Sequence, residues 1–378
     1  MMSNVMGTEL ISRPYFPKKV HSIQIPARRT GGTIQITADE ISTAGFAIPT
    51  RVSQAIRRVS QLGLKEIWLG GAPGDHNRGD HSVGTFNVGF FWLKTLQEDR
   101  RVPAHCLGFP LDTWVKIRAV LGTALLLHDY GHLPFAHMTE EVLRSINWLP
   151  SARVPGLEAA VLGYRCEVEP DLTPTWQSLL NTTIGLDTTI TISSNEIRAI
   201  VEQLILGTHS APWLQAIANS SIDADKIDYL RFDGEFIRDK AFPVRHRLLQ
   251  DEPTQWLADC LSDQDVNHFG LLCLHGRSAV AAADLWRERI FLYDRLYLAP
   301  ELRVPERIAF EIVAQFIIRS AMSGGFLEKA GMPKVRGLAA LDEASSFEFT
   351  VAFGGSSLLQ HDAHSHNLVL RITTEGRW

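Results

Sequence analysis

The chain has 378 residues, 45% of them hydrophobic, 21% charged and 9% aromatic, the balance of a globular protein that buries a core without extra staples. That composition excludes collagen-like, low-complexity and wholly disordered chains. A formal charge of −5 argues against a tight grip on a nucleic-acid backbone, which calls for a basic excess.

The charge is uneven. Near the N-terminus Arg13, Lys18, Lys19, Arg28 and Arg29 face a single acid, Glu9. A solvated arm and a subunit or polyanion contact both fit this excess, so nucleic acid stays open for the arm alone. The cysteines, Cys106, Cys166, Cys260 and Cys273, form no CxxC pair, which favours reduced thiols in a cytoplasmic protein. No apolar run approaches the ~20 residues of a membrane helix, and the first residues lack a signal-peptide pattern.

In chain order, residues 1–37 read as irregular, with short strands at Ile23–Ile25 and Thr33–Ile36. Val52, Ala55, Ile56, Val59 and Leu62 recur at helical spacing until Gly63. A Gly/Asp/Asn loop at 70–80 leads to a helix at 81–97. The strongest helical stretch is 111–129, capped by Asp112 or Thr113. Residues 150–195 are mixed. Helices are expected at 195–206, 221–240, 278–298 and 304–321, and a strand at Phe269–Leu274. Beyond Gly324 the chain turns to Gly, Ser and Thr, with strand-like runs Phe347–Phe353 and Leu368–Ile372. The expectation is a mainly α protein: an N-terminal arm at 1–39, a helical-bundle body with small β elements at 40–325, and a small α+β C-terminal tail at 326–378.

The informative segment runs from Leu127 to His137. It places His128 and Asp129 side by side at the end of an apolar helix, followed by His132 and His137. A charged Asp is costly there unless it is paired or bound to a metal. Neighbours on a helix are about 100° apart, so both can lean toward one cation. His81 and Asp225 can complete the set, each in its own predicted helix, so that four helices would point at one ion.

This segment, H-D-x-G-H-x-P-F-x-H, resembles the core motif of HD-domain phosphohydrolases. It is most similar to the deoxynucleoside triphosphate triphosphohydrolases, the group of the bacterial dGTPases and the vertebrate SAM-and-HD-domain restriction factor. Arg78-Gly79-Asp80-His81-Ser82-Val83-Gly84 resembles that family's R-x-x-H-S-x-G. Ile222-Asp223-Ala224-Asp225-Lys226-Ile227-Asp228-Tyr229 resembles its I-D-x-D-K-x-D-Y, Gln61-Leu62-Gly63 its Q-L-G, and His137-Met138-Thr139-Glu140 its H-x-x-E. Arg289, Tyr293 and Tyr297 stand where the family has R-x-x-x-H-x-x-x-Y on a helix.

The resemblance implies an HD-domain helical bundle and a dNTPase that releases a deoxynucleoside and inorganic triphosphate. It implies His81, His128, Asp129 and Asp225 as ligands of one divalent ion. Mn, Mg, Fe, Co, Ni and Zn are all open, and a further Mg can arrive with the nucleotide. Arg78, Lys226 and Arg289 would meet phosphates and Tyr229 would add a hydroxyl donor, with Tyr293 beside them. Gln61 and Asp233 would hold the 3′-hydroxyl, and Leu62 and Tyr297 would crowd the sugar's 2′ carbon. His132, His137 and Glu140 would handle protons at the leaving oxygen. Leu62 and Tyr297 also read as plain core, and Lys226 as a surface lysine. A homo-oligomer, an allosteric nucleotide and a role in dNTP-pool control or antiviral defence follow by analogy. Two departures stand out: Leu157 lies where many members carry a His, and so does Tyr293. They leave room for an enzyme of another nucleotide, monophosphate or cyclic, or for a nucleotide sensor with a slow site.

Overall fold

The computed structural model describes residues 8–11, 22–27, 29–37, 46–49, 61–62, 65, 69, 76–107, 113–130, 132, 137, 141, 194–239, 253–300, 303, 306–308, 310–311, 352–353, 356–357, 359–362 and 367–370. The chain divides into two compact units. The first comprises Met1–Ser53, Gly79–Tyr130 and Glu169–Arg295, and the second Gln54–Arg78, Gly131–Val168 and Leu296–Trp378. The fold is mainly helical with small antiparallel sheets. The helix expected from Thr50 and most of the one at 304–321 lie outside the described residues.

Four strands open the first unit: β1 (Thr8–Ile11), β2 (Ser22–Pro26), β3 (Thr33–Thr37) and β4 (Phe46–Pro49). β1 pairs with β4 and β2 with β3, both antiparallel. The inner hairpin carries the two expected strands, and the outer pair has no alternation that announced it. Ile25 and Ile34 sit opposite each other and are buried.

α1 (Arg78–Glu98) is the longest of the described helices. Val83, Phe86, Val88, Phe91, Trp92, Leu93 and Leu96 are all buried, so it is apolar on most faces, as a core helix must be. It ends in a two-bond C-cap: the Arg100 amide donates to the Gln97 carbonyl and the Arg101 amide to the Leu96 carbonyl. Arg100 takes the left-handed conformation that this cap requires, with φ 50°. Arg101 then turns inward. Its guanidinium donates to Asp99 Oδ2 at 2.6 Å and to the carbonyls of Leu261, Gln264 and Pro26 at 3.0, 3.2 and 3.2 Å. A buried guanidinium is tolerable when its donors are used, and here it ties the β2–β3 hairpin to the end of α1. The Arg29 and Thr30 amides both donate to Asp99 Oδ1 at 2.8 Å, and Arg29 pairs with Asp265 at 3.2 Å. That cation of the basic N-terminal region is therefore neutralised within the chain.

α2 (Trp114–Leu127) is capped by Thr113, whose side chain accepts from the Lys116 amide. Ile117, Val120, Leu121, Ala124, Leu125, Leu126 and Leu127 are buried. α2 meets α1 where Gly122 faces Phe86: a Cβ at Gly122 would lie 2.6 Å from the phenyl ring. α3 (Ser194–Leu206), α4 (Pro212–Ala218), α5 (Ala224–Asp239), α6 (Pro253–Ser262) and α7 (Gly276–Leu292) follow. α3 packs on α2, α4 on α2, α3 and α5, α7 on α5 and α6, and α6 also on β2. Between α6 and α7 lies a hairpin of β5 (Gln264–Val266) and β6 (Leu272–Leu274). The strand expected at Phe269–Leu274 is thus shorter, because Asn267–Gly270 forms the turn.

The helix expected to run unbroken over 278–298 is α only to Leu292 and becomes a π turn over Tyr293–Tyr297. In the second unit, Lys65 pairs with Glu306. The tail holds two hairpins, β7 (Ala352–Phe353) with β8 (Ser356–Ser357) and β9 (Leu359–Asp362) with β10 (Asn367–Leu370). Among the described residues no helix is long and apolar enough to cross a membrane. Cys106, Cys260 and Cys273 are free thiols, and Cys166 lies outside the described residues.

Candidate metal centre

Three helices of the first unit, rather than the four expected, carry the metal-ligand candidates. α1 contributes His81 in its first turn, the C-terminal end of α2 contributes His128 and Asp129, and the first turn of α5 contributes Asp225. The expectation of four counted one too many, since His128 and Asp129 are adjacent in the chain and share one helix end.

The ligand atoms converge. His81 Nε2 lies 2.9 Å from Asp225 Oδ1 and 3.3 Å from His128 Nε2, and His128 Nε2 lies 3.6 Å from Asp225 Oδ1. The Asp129 carboxylate borders the same point, 3.5 Å from His128 Nε2 and 3.8 Å from His81 Nε2. Donors about 2.1 Å from a shared transition-metal ion stand about 3.0–3.4 Å apart, so His81, His128 and Asp225 are spaced as a group that could hold one ion. His81, Asp129 and the Asp228 side chain behind His81 are almost fully buried. The His128 and Asp225 side chains keep 17% and 31% of their exposure, so the group opens to solvent on their side.

The chemistry of the donors fits a cation as well. Each imidazole has its other nitrogen engaged: His81 Nδ1 donates to Asp228 Oδ2 at 3.0 Å and His128 Nδ1 to the Leu125 carbonyl at 2.7 Å. That leaves two Nε2 lone pairs facing each other across 3.3 Å. Such an arrangement is repulsive unless a proton or a metal ion lies between them. Burial alone would push the His81 pKa down. The hydrogen bonds to Asp225 and Asp228 and the charges of Asp129 and Asp225 outweigh it and raise it to about 10. His128 follows the same way: burial opposes, and Asp129 and Asp225 raise it. Burial pushes Asp225 up, but its two histidine partners hold it well below the usual carboxylate range. The group is a pocket of negative potential that calls for positive charge.

The other expected site residues of the first unit lie on α5 and α7. Asp223 is the N-cap of α5 and accepts from the Lys226 amide at 2.8 Å. It also holds the Lys226 ammonium at 2.6 Å, so that cation rests on a neighbouring acid. Burial and the Asp225 charge raise the Asp223 pKa to about 6, against the pull of Lys226. The Tyr229 ring stands edge-on to His81, centroids 6.4 Å apart, and burial pushes its hydroxyl pKa up. Asp233 is buried two turns along from Asp225. Arg289 lies over the rings of Trp286 and Tyr293, 5.1 and 5.4 Å from their centroids. The π turn that begins at Tyr293 shifts Tyr297 off the face that an unbroken α-helix would have given it.

The remaining candidates belong to the second unit. Arg78 and Leu62 are buried, and the Gln61 amide donates to the His76 carbonyl at 2.8 Å. The His132 and His137 rings meet edge to face at 4.8 Å, the first buried and the second exposed. Tyr297 is half-buried. Glu140 and Leu157 lie outside the described residues.

No family model matches the chain. It is similar to a crystal structure of a phosphohydrolase from Bacteroides thetaiotaomicron, with a TM-score of 0.55 and 17% identity over 89% of this chain and 70% of that one. The chain has the fold of a solved phosphohydrolase. A hypothetical protein from Aquifex aeolicus is also similar, with a TM-score of 0.50 and 18% identity over 85% of this chain and 71% of that one. In sequence, the chain is 27% identical over 190 residues to the uncharacterized protein YwfO of Bacillus subtilis, a match over 50% of this chain and 35% of that protein. The chain therefore spans about a third of that relative's length.

Proposed function

We propose that this protein is a metal-dependent phosphohydrolase, and within that class a dNTP triphosphohydrolase. The observation that carries the reading is the pair of imidazole Nε2 atoms aimed at each other and at Asp225, with both Nδ1 atoms already committed. The phosphohydrolase that shares the fold supports the broader class, and the motif resemblance supports the substrate.

His81, His128 and Asp225 would hold the ion, with Asp129 as the fourth ligand. When bound, a divalent ion supplies a polarised phosphoryl oxygen and a water of lowered pKa. The chain's own groups supply the rest. Burial keeps the Tyr229 hydroxyl protonated, so it can donate to an anionic phosphate. Arg289 keeps its charge and is oriented by two rings, which suits a planar guanidinium to a phosphate edge. Lys226 would exchange part of its contact with Asp223 for phosphate. Water would add at the α-phosphorus, the bond to the 5′ oxygen would break, and deoxynucleoside and triphosphate would leave. The assignments of Arg78, Gln61, Leu62, Asp233, Tyr293, Tyr297, His132, His137 and Glu140 rest on the motif resemblance, and the division at residues 39 and 325 rests on the change of pattern and composition along the chain.

The test is a panel of the four dNTPs with Mn²⁺ or Mg²⁺ and identification of the phosphate product. Deoxynucleoside and inorganic triphosphate are expected, and Asp129→Ala should abolish turnover and metal binding in a folded protein. Orthophosphate or pyrophosphate as the product, with a nucleotide left over, would overturn the substrate assignment. So would hydrolysis of a monophosphate or cyclic nucleotide with dNTPs untouched.

A further inference from the structure

Asp228 is engaged on both carboxylate oxygens and fully buried. One oxygen accepts from His81 Nδ1 at 3.0 Å, and the other accepts from Arg231 Nη2 at 2.9 Å. Arg231 Nη1 in turn donates to Glu235 Oε1 at 2.7 Å. The three residues step along α5 at spacings of three and four, one helix face. The line starts at the metal group and ends at Glu235, whose side chain is 29% exposed.

Room for it comes from α1. Gly84 lies one turn beyond His81, and a Cβ there would stand 2.2–2.3 Å from all three carboxylate atoms of Asp228. The carboxylate therefore occupies the space of a missing side chain. A buried carboxylate stays ionised only if it is paired, and Arg231 is the pair. The forked guanidinium reaches two carboxylates through two nitrogens held in one plane, a fixed geometry that lysine's single ammonium lacks.

We propose that Asp228, Arg231 and Glu235 form a positioning line that fixes the His81 ring with Nε2 toward the ion, and so sets the metal affinity of the site. The proposal rests on the metal-centre reading above and adds to it residues that touch neither ion nor substrate. An anionic partner on Nδ1 locks the tautomer and strengthens the other nitrogen as a ligand. In Asp228→Asn, an amide oxygen kept toward His81 would aim its NH2 at Arg231, donor against donor. An amide oxygen turned toward Arg231 would aim its NH2 at His81.

The experiment is titration of metal-stripped full-length protein with Mn²⁺, followed by electron paramagnetic resonance, and with Co²⁺, followed by its visible absorption. Wild type, Asp228→Asn and Arg231→Lys are compared, with folding checked by circular dichroism. Asp228→Asn should weaken binding about 10- to 100-fold and change the Co²⁺ spectrum. Arg231→Lys, which keeps a cation beside Asp228, should weaken it about 3- to 10-fold, a part of the loss that removal of an outer partner brings. Wild-type affinity and spectrum in both variants would overturn the positioning line while leaving the metal centre standing. If Asp228→Asn does not fold, an unchanged affinity in Arg231→Lys overturns it. No binding of either ion by wild type would overturn the metal centre and the line with it.

Discussion

At the scale of single residues, the candidate site depends on what is missing as well as what is present. Gly84 is helical, and helix propensity alone would favour Ala there by up to about 1 kcal/mol. The Asp228 carboxylate reverses that preference, because a methyl at Gly84 would overlap it. Gly84→Ala should therefore destabilise the protein by about 1–3 kcal/mol, as overpacking does, and should weaken metal binding in the same variant. Urea denaturation of the metal-free protein reads the first effect; a neutral or stabilising substitution would show that Asp228 can move aside without cost. Asp228 stands in the quoted I-D-x-D-K-x-D-Y segment, three residues after Asp225, on the same helix face. That spacing was the available signal for it, but only the fold shows that this face meets His81.

At the scale of elements, helix ends do much of the positioning. The end of α2 delivers His128 and Asp129, and the first turn of α5 delivers Asp225 beside its N-cap, Asp223. Upstream, the α3–α4 connection is organised by His209, whose Nδ1 accepts from the Ala211 amide at 3.1 Å. Burial holds the His209 pKa below its usual 6.5. The folded protein thus prefers the neutral ring, and the unfolded chain binds the proton more readily. Stability from this group is complete above pH 6.5 and is lost as pH falls toward the folded value. An NMR titration of the imidazole should show a midpoint below 6.5, and His209→Gln should flatten the fall in melting temperature between pH 7 and 5. A His209 midpoint above 6.5 would contradict the half-buried, accepting ring.

For the whole molecule, the net charge of −5 says less than its distribution. Asp129, Asp225 and Asp228 surround two imidazoles in the first unit; the carboxylates raise both bases, and the two imidazoles in turn depress Asp225. An ion that binds only the folded state stabilises it by mass action, about 2.7 kcal/mol at a hundred times its Kd. Adding Mn²⁺ or Co²⁺ to stripped protein should therefore raise the melting temperature, and excess chelator should reverse the rise. A melting temperature indifferent to Mn²⁺, Co²⁺, Ni²⁺ and Zn²⁺ alike would count against any metal at this place. The basic N-terminal excess is partly used internally, since Arg29 pairs with Asp265 and its backbone with Asp99.

The amino-acid sequence determined by itself what local spacing can encode. The helices that became α1, α2, α3, α5 and α7 were legible from apolar periodicity, as was the β2–β3 hairpin from alternation. His128 and Asp129 were legible because an imidazole and a carboxylate at the end of an apolar helix demand a reason, whereas His81 and Asp225 were picked out by the motif resemblance. The pairing of β1 with β4, the short helices α4 and α6, and the π turn at Tyr293 were not legible. Short elements carry too few periods to announce themselves, and a π turn differs from α by a shift in hydrogen bonding rather than in residue type. Only the tertiary structure decided that the three helix ends converge, that Asp228 backs His81, and that Gly84 makes room for it. Convergence of residues far apart in the chain is set by how closely helices pack, and close packing is a property of pairs of surfaces that no single segment contains.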